Sequence, residues 1–179
     1  MILATDVGYR DDGTALAAAV GFAQWADEAP AYERTVHVAE VAEYEPGQFY
    51  RRELPCLLAL RAALPAPPTL WVVDGHVWLR DGQPGLGAYL FEALRGTVPV
   101  VGVAKRAFRD GVAIPVCRGQ SANPLHISAA GLSPERAAEA VQQMHGPWRI
   151  PTLLKRVDAL SRSARGPQRP TGTPDEAGR

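Results

Sequence analysis

Apolar positions in the first part of the chain come in short runs that predict β-strands. Residues 2–7 and 14–22 are two such runs, separated by an Asp-Asp-Gly turn, and this arrangement is typical of a β-hairpin. Valines between residues 36 and 41 indicate a third strand, and the Pro-Gly within residues 43–47 predicts the turn after it. We therefore expect three strands here, antiparallel to one another.

Beyond residue 49 the period of the apolar positions changes to that of a helix. Leucines and alanines recur at helical spacing over residues 49–66, and leucines do so again over residues 86–94. Each helical segment precedes an apolar run, at residues 70–73 and 98–103, that lacks polar alternation, as in a strand buried on both faces. Because a helical crossover joins strands that run in the same direction, we expect parallel pairing in this part of the sheet.

The second half of the chain adds further elements to this order. Residues 112–116 and 124–127 indicate strands, and Ser133-Pro134 begins a helix in the favoured order of cap and proline. The elements predict an α/β domain whose mixed sheet has three antiparallel strands and then parallel strands, flanked by helices. Several folds share this order, among them the ribonuclease H-like fold, and periodicity alone does not choose among them.

Length and composition fit one domain. Within the 179 residues we expect this domain over residues 1–161 and a disordered basic tail over residues 162–179, where Pro, Gly and Arg are frequent. No apolar run approaches the ~20 residues that a membrane helix needs, and the first residues contain no basic leader, so we expect neither a membrane anchor nor a signal peptide. Cys56 and Cys117 are too few for a disulfide scaffold, and we expect buried thiols and a cytoplasmic location.

The formal net charge is zero, but the charged residues are unevenly distributed. Residues 1–60 carry ten Asp or Glu and four Lys or Arg, a net charge of −6, and the remainder of the chain carries +6. A metal-dependent enzyme acting on nucleic acid would need acids to hold cations and basic residues to meet phosphates. An ordinary dipolar surface has the same distribution, so charge alone leaves both interpretations open.

Three acidic residues occupy positions where a sheet of this kind binds ligands. Asp74 ends the buried strand over residues 70–73, Asp6 lies in the first strand, and Glu53 begins the helix between them. Buried carboxylates must be protonated, ion-paired or bound to a cation, and hard oxygen ligands favour Mg²⁺ or Mn²⁺. Lys105, just beyond the neighbouring strand, would add a positive charge at the same edge. The alternative, that these acids only cap turns and a helix, stays open on spacing alone.

Six short motifs in order over residues 1–151 point to a known family. They are Asp6-Val7-Gly8-Tyr9, Tyr44-Glu45-Pro46-Gly47 with Arg52-Glu53, Asp74-Gly75-His76, Gly102-Val103-Ala104-Lys105, Asn123-Pro124-Leu125 and Arg149-Ile150-Pro151. The separations of 47 residues from Asp6 to Glu53 and 21 residues from Glu53 to Asp74 also match. With these motifs the chain resembles endonuclease V, a family of metal-dependent nucleases that act at deoxyinosine or inosine.

The resemblance implies a ribonuclease H-like fold and a role for each motif. Asp6, Glu53 and Asp74 match the acids that bind the catalytic metal ion, Mg²⁺ or Mn²⁺, and Lys105 completes the expected catalytic set. The family has a wedge that enters the duplex where the altered base is extruded. The residues expected at the wedge and the base pocket are Tyr44, Pro46, Gly47, Gly75, His76 and Gly102. Those expected to contact phosphates are Arg52, Arg80 and Arg149.

The sequence departs from the family pattern at several places, three of which concern the wedge, the base pocket and the metal site. Glu43 and Glu45 flank the wedge tyrosine, where acids face phosphate unfavourably. Val77 replaces a glycine, and we expect it to narrow the base pocket. The family's late Gly-His, expected to supply an acid or base near the metal, is replaced by Ala129-Ala130-Gly131, and we expect the nearby His126 to be structural.

These features imply an endodeoxyribonuclease that hydrolyses the second phosphodiester 3′ to deoxyinosine, or to a related altered base, in DNA repair. The altered motifs leave two alternatives open: a nuclease that prefers inosine in RNA or other lesions, and an inactive relative that only binds nucleic acid. Retention of all three acids argues against the inactive relative, because clustered negative charge is unfavourable unless it holds a cation. Nucleic acid is the expected partner, a membrane is not, and we expect a monomer.

Overall fold

A seven-stranded mixed sheet forms the centre of the computed structural model, which describes residues 1–43, 45 and 47–163. The described strands are β1 Ile2–Tyr9, β2 Ala15–Phe22, β3 Tyr32–Val38, β4 Leu70–Val73, β5 Trp78–Arg80, β6 Gln83–Pro84, β7 Val100–Ala104, β8 Ile114–Val116 and β9 Leu125–Ala130. The helices are α1 Tyr50–Ala62, α2 Leu86–Ala93, α3 Pro134–Gln142 and α4 Thr152–Ser161. The order in the sheet is β3-β2-β1-β4-β7-β9-β8, and β5 and β6 pair separately as a small hairpin.

The strand directions confirm the predicted fold class. β1, β2 and β3 pair antiparallel in sequence order, and β4 and β7 then join β1 as parallel strands. The crossovers through α1 and α2 produce this parallel pairing. β9 returns antiparallel to β7, and β8 pairs antiparallel with β9 at the edge. The sheet is therefore mixed, as in the ribonuclease H-like fold.

The helices cover both faces of the sheet. Alternate residues of β1 point to opposite faces: Leu3 and Val7 pack into the cluster with α1 and α2, whereas Ile2 and Ala4 pack into the cluster with α3 and α4. Asp6 has the parity of Ile2 and Ala4 and so faces α4. The central strands are buried on both sides, which accounts for their lack of polar alternation.

Three local features differ from the predictions. β3 begins at Tyr32 and ends at Val38, because its backbone pairs with β2 through the polar residues that precede the valines; Val41 lies outside it. β8 begins at Ile114, and Val112 is exposed. Cys117 is exposed, whereas Cys56 is buried as expected.

Helix α4 was absent from the predicted elements. Its buried residues Leu153, Val157 and Ser161 recur every four positions and pack against β1 and β2. A bidentate ion pair from Arg156 to Glu33, with N–O distances of 2.6 and 2.8 Å, ties α4 to β3.

Some predictions concern parts of the chain outside the described residues. Tyr44 and Pro46 of the expected wedge belong there, as do residues 164–179 of the expected tail. None of the helices in the described residues is long and apolar enough to cross a membrane.

We predict that Gly8→Ala destabilises the protein by about 1–3 kcal/mol, the usual range for overpacking. A Cβ at Gly8 would come closer than 3.0 Å to the backbone carbonyl of Ser161, so β1 and α4 would have to separate. Gly21→Ala is the matched control in β2, because its Cβ would come closest to the flexible end of Met1. Urea unfolding of both variants measures the difference. Equal loss in the two would contradict the role of the β1–α4 contact.

Candidate functional site

Four acidic side chains from four elements converge at the carboxyl ends of β1 and β4. Asp6 comes from β1, Asp74 follows β4, Glu53 comes from α1, and Asp158 comes from α4. Burial raises the pKa of Glu53 to about 8, and the charges of Asp6 and Asp74 add to the increase. The structure therefore brings together the three predicted acids within electrostatic range of one another.

Asp6 lies between the two sides of this cluster. Burial raises its pKa, the hydroxyl of Ser161 opposes the increase by donating a hydrogen bond to Asp6 Oδ2 (2.5 Å), and the charges of Asp74 and Asp158 raise it further. Glu53 approaches from the α1 face, whereas Ser161 and Asp158 approach from α4. Asp6 therefore connects acids that belong to opposite layers of the molecule.

Lys105 contributes the positive charge that the sequence predicted at this edge. Its Nζ donates a hydrogen bond to Asp74 Oδ2 at 2.6 Å and lies 3.9 Å from Asp158 Oδ1. Burial lowers the pKa of Lys105, but the hydrogen bond to Asp74 and the charges of the surrounding acids outweigh burial and leave the pKa raised. The ammonium group thus neutralises part of the acidic cluster.

Asp158 is a site residue that the sequence analysis missed. Besides its contact with Lys105, it accepts a hydrogen bond from Arg162 Nη2 at 2.8 Å and raises the pKa of Asp6. The amino-acid sequence contains one indication of its importance. Asp158 is the sole acid between Arg149 and Pro170, in a segment rich in basic residues. Recognition of α4 would have placed it on the helix face shared with Ser161.

A cavity of about 220 Å³ opens beside the acids, between α4 and the sheet. Its floor is apolar, and its polar wall residues include Asp6, Asp74, Lys105 and Asp158. Glu53 is not among the described residues that line the cavity, because it comes from the opposite face. The cavity therefore presents three carboxylates at the edge of an apolar space, together with the ammonium groups of Lys105 and Lys155 and the guanidinium group of Arg162.

The donor set fits a hard divalent cation. Within the described residues, no group of three or more His, Cys, Asp or Glu side chains is placed so that it could hold a metal ion as it stands. The hydrogen bond from Lys105 occupies Asp74 Oδ2, a position that a cation would otherwise share. Glu53 is 6% exposed and faces two other acids, so a bound cation would relieve both its burial penalty and the repulsion. Carboxylate oxygens without nearby Cys or His favour Mg²⁺ or Mn²⁺.

The Asp74-Gly75-His76 turn packs tightly against β7. A Cβ at Gly102 would lie 2.5 Å from the carbonyl oxygen of Gly75, so the absence of a side chain there permits the contact. Gly75 has φ of +154°, a conformation that favours glycine. His76 Nε2 lies 3.0 Å from the carbonyl oxygen of Arg106, and its Nδ1 is buried without a hydrogen-bond partner. These contacts position Asp74 at the cavity.

Val77, expected to narrow the base pocket, is not among the residues that line the cavity beside the acids. It is completely buried in the cluster with α1 and α2, and its backbone N–H donates to Ser128 Oγ at 2.8 Å. The alanines that replace the family's late Gly-His lie at the opposite edge of the sheet. Ala130 pairs with Val100, at the start of β7, whereas Lys105 follows the end of that strand. About five residues of extended strand, roughly 16 Å, separate the two positions. The segment that matches the family's late Gly-His therefore lies away from the acids, contrary to the expected place near the metal.

The arginines predicted to contact phosphates have protein partners. Arg149 Nη2 donates to the carbonyl oxygens of Lys105 and Pro124, the latter at 2.8 Å. The guanidinium of Arg52 lies 4.0 Å from the centroid of the Tyr9 ring, and Arg80 Nε donates to the carbonyl oxygen of Arg109 at 3.2 Å. Arg149 therefore helps to position the segment that carries Lys105.

The remaining predicted residues are not among those that line the cavity. Gly47 is in a turn before α1 with φ of +79°. The hydroxyl of Tyr9 is buried beside Glu53, and burial together with the Glu53 charge raises the Tyr9 pKa. His126 lies in β9 opposite Ala104, and burial lowers its pKa, with further contributions from His76 and Arg149.

Comparisons with known proteins give one consistent result. A family model described as Endonuclease V matches residues 1–125 of this chain. The Endonuclease V of Streptomyces avermitilis is 31% identical over 185 residues, which cover 91% of this chain and 80% of that protein. A crystal structure of Endonuclease V from the same organism matches with a TM-score of 0.76 and 28% identity, covering 90% of this chain and 79% of that chain.

A more distant match shows the same fold. Endonuclease V of Ciona intestinalis, solved in complex with a 24mer DNA containing an inosine followed by a ribo-adenosine, gives a TM-score of 0.72 at 20% identity. The match covers 90% of this chain and 84% of that chain.

We predict that the cation-free protein loses stability as the pH rises from about 4.5 to about 8. Glu53 releases its proton near 4.5 in the unfolded chain but near 8 in the folded protein, so the folded protein binds more protons over this range. Glu53→Gln should remove much of the decrease. Thermal unfolding in EDTA across this range measures it, with Glu92→Gln on the exposed surface of α2 as the control. An unchanged pH dependence in Glu53→Gln would contradict the prediction.

Proposed function

Because the chain belongs to the endonuclease V family, we propose that it is a divalent-metal-dependent endonuclease that hydrolyses the second phosphodiester 3′ to deoxyinosine in DNA. The observation that carries this proposal is the convergence of Asp6, Glu53, Asp74 and Asp158 at one edge of the sheet. Structural ion pairs alone do not account for it, because only Lys105 and Arg162 contact the cluster as cations within the described residues. Such a cluster is suited to holding a cation next to a phosphate.

Asp6, Glu53 and Asp74 are the proposed metal ligands, with Asp158 as a fourth acid. A bound Mg²⁺ or Mn²⁺ would supply a water molecule of lowered pKa and neutralise charge on the leaving oxygen. Ser161 holds Asp6 Oδ2 and so leaves Oδ1 for another partner. Glu53, protonated at neutral pH in the cation-free protein, would release its proton when a cation binds.

Lys105 is the proposed catalytic cation. In the absence of substrate its ammonium pairs with Asp74 and lies near Asp158. A metal ion that binds these acids would replace this neutralising contact and free Lys105 to donate hydrogen bonds to the phosphate. The carbonyl oxygen of Lys105 is held by Arg149, so the backbone from which the ammonium reaches is restrained.

The proposed substrate is a strand from which an altered base has been extruded. Extrusion costs a few kcal/mol and costs least for a base that pairs poorly, such as hypoxanthine. Tyr44 and Pro46 are the proposed wedge, as the resemblance implies. The acid Glu45 lies 3.7 Å from Arg51, which reduces the expected repulsion between the wedge and phosphates. The Ciona protein of the same fold was solved with DNA containing inosine, in line with this substrate class.

A role in DNA repair follows from this substrate, since deoxyinosine is an altered base. We further propose that the protein acts as a monomer in the cytoplasm, a location that suits its two free cysteines. Inosine in RNA is the second candidate substrate, because the wedge departs from the family pattern.

The proposed site predicts that Asp74→Ala abolishes nicking, because the change removes a metal ligand, and that Asp158→Asn lowers nicking at least about tenfold. Asp81→Asn, in the exposed β5–β6 turn, is the control for loss of a carboxylate elsewhere. Single-turnover cleavage of an end-labelled deoxyinosine strand measures all three. Nicking by Asp74→Ala at the parent rate would remove the basis of the site assignment.

The substrate assignment predicts nicking of deoxyinosine oligonucleotides in Mg²⁺ or Mn²⁺ and none in EDTA. The panel contains end-labelled DNA with inosine, uracil, an abasic site or no lesion, together with the inosine RNA. A product with its 3′ end one nucleotide beyond the inosine agrees with the proposed position. Binding without cleavage in both metals would support the inactive relative, and preferential RNA cleavage would support the second candidate.

A further inference from the structure

Trp148 is the most exposed large hydrophobic side chain in the described part of the chain, with 61% of its surface accessible. It precedes α4, the helix that carries Asp158. An exposed indole costs free energy in water, and exposed aromatic groups often mark sites of interaction. None of the roles assigned above uses this residue.

The backbone beneath Trp148 is held firmly. The buried guanidinium of Arg118 donates to the carbonyl oxygen of Trp148 at 2.8 Å and also to the carbonyl oxygens of Met144 and Gly146. Gly119 packs so closely that a Cβ there would overlap the carbonyl oxygen of Pro147. The ring is therefore presented from a rigid segment, which lowers the entropy cost of binding a partner.

The surroundings of the ring are positively charged. Lys155 Nζ lies over the Trp148 ring, 4.9 Å from its centroid. A groove of about 750 Å³ runs past the ring, with Gln120, Ser121, Arg149 and Lys155 among its walls. No Asp or Glu is among the described residues that line it. An aromatic face beside basic and neutral polar groups is suited to a nucleobase and its phosphate.

The groove continues into the acidic site. Ile150 and Lys155 line both the groove and the cavity beside Asp6 and Asp74. Lys155 precedes Asp158 by three residues of α4, which corresponds to about 4.5 Å along the helix axis. A strand whose phosphate lies at the acids would therefore extend past Lys155 and over the indole.

We propose that Trp148 is a stacking platform for a nucleobase of the substrate strand, one or two nucleotides from the phosphate at the acids, with Lys155 at the backbone of that nucleotide. This proposal rests on the proposed function for the identity of the strand. It assigns Trp148 a positioning role, since the ring lies outside the acidic cluster. The charge of the groove favours nucleic acid over an apolar protein segment as the occupant.

Intrinsic fluorescence tests the platform without cleavage. Titration of the full chain with a single-stranded deoxyinosine oligonucleotide in EDTA should quench part of the tryptophan emission, because a stacked base quenches an indole. Trp148→Phe should lose that component and keep most of the affinity, and Trp148→Ala should weaken binding about tenfold. Val112→Ala, another exposed apolar position, is the control and should bind like the parent protein.

An abasic scan identifies the nucleotide. At one position, removal of the base should weaken binding to the parent protein as much as Trp148→Ala does. The same removal should not weaken binding to the Trp148→Ala variant any further.

Lys155→Ala should reduce the slope of log binding constant against log salt concentration by about one, the value for one phosphate contact. Cleavage of saturating substrate in Mg²⁺ by Trp148→Phe should proceed within about threefold of the parent rate.

The outcomes separate this proposal from the proposed function. If the parent protein nicks the inosine strand while Trp148→Ala binds with parent affinity and identical quenching, the platform is wrong and the nuclease assignment stands. If Trp148 is quenched and the abasic position is found but no metal supports nicking, the platform stands and the nuclease assignment fails. If no oligonucleotide binds to the parent protein or quenches its tryptophan emission, the platform proposal is also wrong.

Discussion

The repulsion between closely placed carboxylates at the end of β1 and β4 is the constraint on which the site depends. Glu53 is almost completely buried and faces Asp6 and Asp74, and its raised pKa reflects both effects. Without a divalent ion the folded protein limits the repulsion by protonation of Glu53 and by the ion pair between Lys105 and Asp74. A divalent cation at the same place would reduce the same repulsion.

The fold produces this arrangement by enclosing one strand between two layers. β1 receives α1 on one face and α4 on the other, so Asp6 meets Glu53 from one layer and Asp158 and Ser161 from the other. Close backbone contacts maintain the geometry. Gly8 allows α4 to approach β1, and Gly102 allows the turn after Asp74 to pack on β7. The acids of the candidate site are thus positioned by close backbone contacts that only glycine permits.

The segment around α4 connects the acids to the surface on which a strand would lie. Arg149 holds the carbonyl oxygens of Lys105 and Pro124, Arg118 holds those around Trp148, and α4 then carries Lys155 and Asp158. The basic residues of this region divide into two groups. Arg118 and Arg149 serve mainly to fix the backbone, whereas Lys155 remains accessible beside Trp148.

The sequence by itself determined the first three antiparallel strands, the α1 and α2 crossovers with their parallel strands, the family, and the candidate acids Asp6, Glu53 and Asp74. Periodic burial and short motifs are local properties, and a strand buried on both faces ends where its first polar residue occurs, as at Asp74. Asp158, the use of Arg149 and the burial of Val77 were decided only by the tertiary structure. The reason is that each depends on which face of α4 or of a turn meets a strand distant in the chain, and residue spacing carries no information about that contact. Pairing of β9 with β7 likewise placed Ala130 beside Val100, at the edge away from the acids, which the sequence order alone did not reveal.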